Sequence, residues 1–139
     1  MALATEIAEE IRRAVAFVAW RLITGEDSAW IFDHGRGRRV RFSGTISSTK
    51  IAIRDDDGCE INGSGGSGMY TLMPGKGGKP VTLKIDGLHF EGFDYGSTRR
   101  YAGVVDCETL RIKEARDSGE FSYSVESLAG GNQEKSAAR

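Results

Sequence analysis

Two histidines, two cysteines and a run of carboxylates are the residues of this 139-residue chain whose types could do chemistry. Nucleophilic catalysis needs a Ser or Cys beside a His that a carboxylate orients. His34 stands next to Asp33 in the turn DHGRG, and His89 precedes Glu91 by two residues. Strand alternation puts His89 and Glu91 on one outward face, and a turn histidine faces water, so both read as solvated. There is no Gly-x-Ser-x-Gly elbow. Two cysteines and two histidines without C-x-x-C or H-x3-H spacing make no zinc set. The acids Asp55, Asp56, Asp57 and Glu60 break the alternate spacing of a calcium loop and read as a solvated turn. GSGGSG at 63–68 and PGKGGK at 74–79 offer backbone N–H groups, but neither has the phosphate-loop pattern nor opens a helix. Both read as flexible loops. The sequence therefore predicts no catalytic residue, no metal and no cofactor.

Binding groups are more numerous. Trp30, Phe93, Tyr95 and Tyr101 are the aromatic residues placed to line a pocket. Arg36, Arg38, Arg39 and Arg41 crowd one hairpin, and Arg99 and Arg100 enter a similar one. If those hairpins were neighbours, the six arginines would form one patch with Tyr95 and Tyr101 close enough to stack on bases. Nineteen basic against twenty acidic residues give a net charge of −1, so any attraction for polyanions must be local. The reading is a non-enzymatic binding or protein-interaction module with an unknown protein or small-molecule partner, and a homo-oligomer is a further option. A nucleic-acid-binding protein using the arginine patch is the alternative. A small hydrolase-type enzyme using His89 or His34 ranks below both.

The elements that position these residues follow from periodicity. Leu3, Ile7, Ile11, Val15, Val18 and Leu22 draw one stripe along a helix over 5–24, with Thr5 as N-cap, acids at its start and Gly25 as its stop. Phe17, Trp20 and Ile23 widen the stripe, so this end is buried on more than one side, against a sheet or as a dimer seam. After Gly25 the period falls to two. Strands are expected at 28–33, 38–46, 50–55, 59–62, 69–73, 80–86, 88–94, 100–105, 109–114 and 120–126. With no second helix for a parallel crossover, the fold class is α+β: one N-terminal amphipathic helix packed on a strongly curved antiparallel meander, barrel-like if it closes. Trp20, Trp30, Phe32, Phe42, Ile53, Leu83, Phe90 and Ile112 are its expected core.

A repeat supports the curvature. RFSGTI at 41–46 returns as RYAGVV at 100–105, and the match runs without a gap to Asp55 and Glu114. Gly44 and Gly103 fall at the same place on the inward face, and Phe90-x-Gly92 gives a third aromatic-x-Gly. Glycine inside a strand is costly unless the sheet bends there, and an aromatic neighbour can shield the bare backbone. The hairpin repeat is thus expected to be architectural.

One domain over 1–129 and a disordered tail at 130–139 are expected from length and from the loss of large apolar residues. The apolar run from Ala14 to Trp20 is flanked by Arg13 and Arg21 and preceded by Glu6, Glu9 and Glu10, which does not suit a signal sequence, and it is too short for a membrane span. With Cys59 and Cys107 as free thiols, the chain reads as cytoplasmic and not membrane-bound.

Overall fold

The structure, a computed structural model, describes residues 7–75, 77–114 and 120–125. A helix, α1 (Glu9–Thr24), precedes ten strands: β1 (Trp30–Asp33), β2 (Arg38–Ile46), β3 (Lys50–Asp55), β4 (Glu60–Gly66), β5 (Met69–Pro74), β6 (Val81–Asp86), β7 (His89–Asp94), β8 (Arg99–Asp106), β9 (Thr109–Glu114) and β10 (Glu120–Val125). Every strand pairs antiparallel with its sequence neighbours. β1 also pairs with β10, Ile31 opposite Val125, which closes the meander into a barrel and leaves no free edge among these strands.

The helix runs through the lumen. From Ile11 to Trp20 no residue is more than 9% exposed. α1 packs on β1, β2, β9 and β10 and also on β6, which the ring order places across the barrel from β1. A helix that touches opposite walls needs apolar side chains all round, and this is why the stripe widens toward Trp20. Ala14, Ala16 and Ala19 keep it slim, Phe17 stacks on Phe42 of β2 with ring centroids 4.4 Å apart, and Trp20 Nε1 donates to the Cys107 carbonyl at 2.7 Å. The helix begins at Glu9 with Ala8, which has no capping side chain, at the N-cap position; Gly25 ends it in the left-handed conformation at φ 70. Thr5 and the tail at 130–139 lie outside the described residues.

Two expectations change. Trp30 and Phe32 are not core: β1 buries Ile31 and Asp33, and the two rings point outward, half-buried. Three apolar residues in a row leave the phase of a four-residue strand open, and Ile31 takes the inward place because it pairs with the inward Val40 and Val125. Residues 63–66 are strand rather than flexible loop. Gly63 lies opposite Leu72 and Gly65 opposite Tyr70, and these side chains cover the bare backbone.

The two matched segments occupy β2–β3 and β8–β9, and they pair alike. Phe42 faces Asp55 where Tyr101 faces Glu114, and Ile46 faces Ile51 where Val105 faces Leu110. At both glycines the backbone of the next strand approaches so closely that a Cβ would overlap it, Ala52 O at Gly44 and Arg111 O at Gly103. At Gly103 the Phe90 ring occupies the same space. Gly44 has φ +115, a conformation open to glycine alone.

Candidate functional site

Odd-numbered strands all end at one mouth of the barrel, the mouth where α1 enters. Four of the five end in an acid whose side chain is buried: Asp33, Asp55, Asp94 and Glu114; β5 ends in Pro74. Each aspartate ties up its own turn. Asp33 accepts from the N–H groups of Gly35 and Arg36, Asp55 from those of Asp57 and Cys59, and Asp94 from those of Gly96 and Ser97 and from the Ser97 hydroxyl.

The helix supplies the counter-charges. Arg12 donates to Glu114 at 3.1 Å, to the Ile7 carbonyl at 2.9 Å and to Tyr123 Oη at 3.1 Å, with its guanidinium 3.6 Å from the centre of the Phe121 ring. Glu114 also takes the Ile7 N–H, and Arg99 stands 3.6 Å away. Arg13 bridges Asp55 at 3.0 Å, Asp57 at 3.2 Å and Glu9 at 3.3 Å. Turn N–H groups hold Asp33, Asp55 and Asp94, and helix guanidinium groups hold Asp55 and Glu114, an arrangement that anchors the helix in the barrel. Sequence reasoning passed over Arg12 and Arg13. Their signal was two charges in the middle of an apolar helix, together with an acid closing almost every second strand.

The histidines stay outside this network. His34 Nε2 lies 2.7 Å from Ser124 Oγ on the outer wall, and His89 is exposed on β7. Cys59 and Cys107 are free thiols, and burial pushes the Cys59 thiol up, away from reactivity. No group of His, Cys, Asp and Glu among the described residues could hold a metal ion.

Outward-facing rings and arginines carry what recognition chemistry remains. The string Phe-Asp-x-Gly-x-x-Arg-Arg occurs at 32–39 and at 93–100, in hairpins β1–β2 and β7–β8. In each, the Phe faces the second Arg across the ladder, Phe32 with Arg39 and Phe93 with Arg100. The next residue but one adds an edge-on ring, His34 at 5.0 Å from Phe32 and Tyr95 at 4.7 Å from Phe93. This matching signal was in the sequence, two residues out of phase with the repeat first noticed.

These hairpins are not neighbours. Between β2 and β8 the ring interposes β1, β10 and β9 on one side and β3 to β7 on the other. The six arginines therefore divide. Arg36 pairs with Glu9, Arg38 with Asp57 and Arg99 with Glu114. Arg39 and Arg41 lie over Trp30, and Arg100 stands on β8.

Around Arg100 the outer wall is concave. A groove of about 680 Å³ crosses β4 to β9, with Met69, Thr82, Lys84, Phe93, Arg100 and Ala102 among its lining. Its floor exists because the β6–β7 ladder opens: the Phe93 N–H turns to Thr82 Oγ1, and the Thr82 carbonyl accepts from Tyr101 Oη at 2.6 Å. Tyr101 reaches it over Gly92, whose missing side chain leaves the path clear. Of the four aromatic residues proposed from sequence, Phe93 and Tyr101 line the groove, Tyr95 is the edge partner of Phe93, and Trp30 belongs to the other side of the barrel. A second hollow of about 530 Å³ lies at the mouth, between the turns after β3, β5 and β7 and the start of α1. Among its charges Arg54 and Glu60 pair with each other and Asp94 is held by its own turn, while Glu10 and Lys79 also line it.

No protein-family model matches the chain, and neither do curated proteins or solved structures. No helix among the described residues is long and apolar enough to cross a membrane. Outward strand positions carry Lys50, Arg54, Lys84, Glu91, Arg111 and Lys113, all exposed, where a lipid-facing barrel needs an apolar band.

Proposed function

We propose that this chain is a non-enzymatic binding module, and that it recognises a protein or small-molecule partner with the groove on its outer wall. The observation that carries this reading is the company of Phe93, Arg100 and Met69 in one hollow. A largely apolar groove with Arg100, Lys84 and Lys113 on its lining, and Glu91 among them, suits a ligand with an apolar body and an acidic or carbonyl group. The lumen offers no competing site, because α1 fills it. The acids of the mouth are engaged by turn N–H groups and by helix arginines, which favours an anchoring role for them. Homo-oligomers would have to form through outer walls, since the helix is spent on the core and the closed sheet has no edge to pair. The free thiols of Cys59 and Cys107 suit a reducing compartment, and we place the protein in the cytoplasm.

Native mass spectrometry at low salt tests this. The protein and its F93A/R100A variant are purified side by side from cells. A discrete bound mass that the variant has lost is the expected result. A mass retained by the variant would move the site elsewhere. If both are bare, a photo-crosslinking residue at Ala102 must capture a partner that F93A/R100A no longer captures, or the reading fails.

A further inference from the structure

The opposite side of the barrel carries a second surface that the groove does not use. Trp30 and Phe32 point outward from β1, and directly across the ladder stand Arg41 and Arg39. Both guanidinium groups lie on the one indole, at 4.8 Å for Arg39 and 5.0 Å for Arg41. Two like charges on one ring repel each other, yet both are held there by the ring's negative face. Both side chains are exposed, and neither has a carboxylate partner among the described residues, although their neighbours Arg36 and Arg38 do. The result is two exposed guanidinium groups resting over one ring, with donors that no carboxylate among the described residues uses. Stacking lowers the entropy each would lose on meeting an oxyanion.

We infer that the Trp30–Arg39–Arg41 face docks an acidic segment of a partner protein. Tryptophan and arginine are the side chains that most often anchor protein interfaces, and here they lie together on a rigid strand pair. Charge complementarity calls for carboxylates. A nucleic acid fits less well for two reasons. The indole face a base would need is already covered by guanidinium. A long phosphate chain would also run into acids beside the patch: Asp56 accepts the Arg41 N–H, Asp57 pairs with Arg38, and Glu9 pairs with Arg36. A short acidic segment on the two guanidinium groups meets fewer of these acids than a long phosphate chain does.

The test uses the full chain, a fluorescein-labelled poly-glutamate peptide and a labelled oligo-thymidylate as probes, read by anisotropy. Trp30 gives a second readout, because the other tryptophan, Trp20, is buried in the lumen. The peptide is expected to bind in a salt-sensitive way and to alter Trp30 emission in a W20F background. R39A/R41A should weaken it tenfold or more, and R39K/R41K should restore only part, since lysine keeps the charge but loses the planar stack. F93A/R100A should bind the peptide as the parent does, which separates this surface from the groove. Failure of the peptide to bind, or binding unchanged in R39A/R41A, overturns the inference. Tighter binding of the oligonucleotide than of the peptide, lost in R39A/R41A, also overturns it in favour of nucleic acid.

Discussion

Replacing Gly103 with alanine tests the claim that bare inward positions let the sheet coil. A Cβ built there would lie 2.5 Å from the Arg111 carbonyl oxygen, where ordinary contact begins at 3.4 Å, and would overlap the Phe90 ring. β8 and β9 would therefore have to part by about 1 Å and the Phe90 ring would have to shift as well. Phe90 is 1% exposed and has no space to retreat into. A buried methyl and a stiffer unfolded chain contribute about 1–2 kcal/mol in favour of alanine. Against this stand overpacking of about 1–3 kcal/mol and the loss of two ladder hydrogen bonds at about 1 kcal/mol each. The net loss expected is about 1–4 kcal/mol, read from the urea midpoint at constant slope. Phe90→Leu in the same chain removes the ring overlap but not the carbonyl one, so G103A should cost less in an F90L background than in the parent. Gly37→Ala has nothing within 4 Å of its Cβ and only φ +64 to overcome, a cost of about 1 kcal/mol. If G103A is neutral, close approach is not what the glycine provides; an equal cost with and without Phe90 would assign the whole cost to the Arg111 carbonyl and refute the part given to the ring.

Glu114→Gln should destabilise by about 3–5 kcal/mol in denaturant titration, because Arg12 is then buried without its counter-charge, whereas Glu60→Gln at the exposed Arg54 pair should cost less than about 1 kcal/mol. Phe17→Ala removes the ring stacked on Phe42 inside a filled lumen and should cost about 3–5 kcal/mol, visible as a lowered thermal midpoint. Alkaline pH should unfold the barrel. Burial is the main cause that raises Tyr123 to about 12 and lifts Tyr101 still further, while an unfolded tyrosine ionises near ~10. Stability is thus complete below about pH 10 and is lost as pH climbs from there through the folded values, by about 2–3 kcal/mol for Tyr123 alone. Phenolate absorbance followed with circular dichroism should show two tyrosines ionising only as the fold melts, and Y101F/Y123F should flatten the pH dependence.

The sequence by itself determined the class of fold and most element boundaries. Strands at 38–46, 50–55 and 109–114 fall where alternation placed them, because one face of each meets an apolar core and the other meets water. Strand glycines beside aromatic residues announced the curvature. What the sequence left open was phase and placement. Ile31 rather than Trp30 turns inward because of its partners on β2 and β10, and a four-residue strand cannot choose that alone. Asp55 read as part of a solvated turn although it is buried, since nothing local says that Arg12 and Arg13 enter the mouth that it and Glu114 help to ring. The six arginines looked like one patch until closure set β2 and β8 far apart around the ring. Closure is a pairing between residues nearly a whole chain apart, Ile31 with Val125, and local periodicity carries no information about contacts at that range.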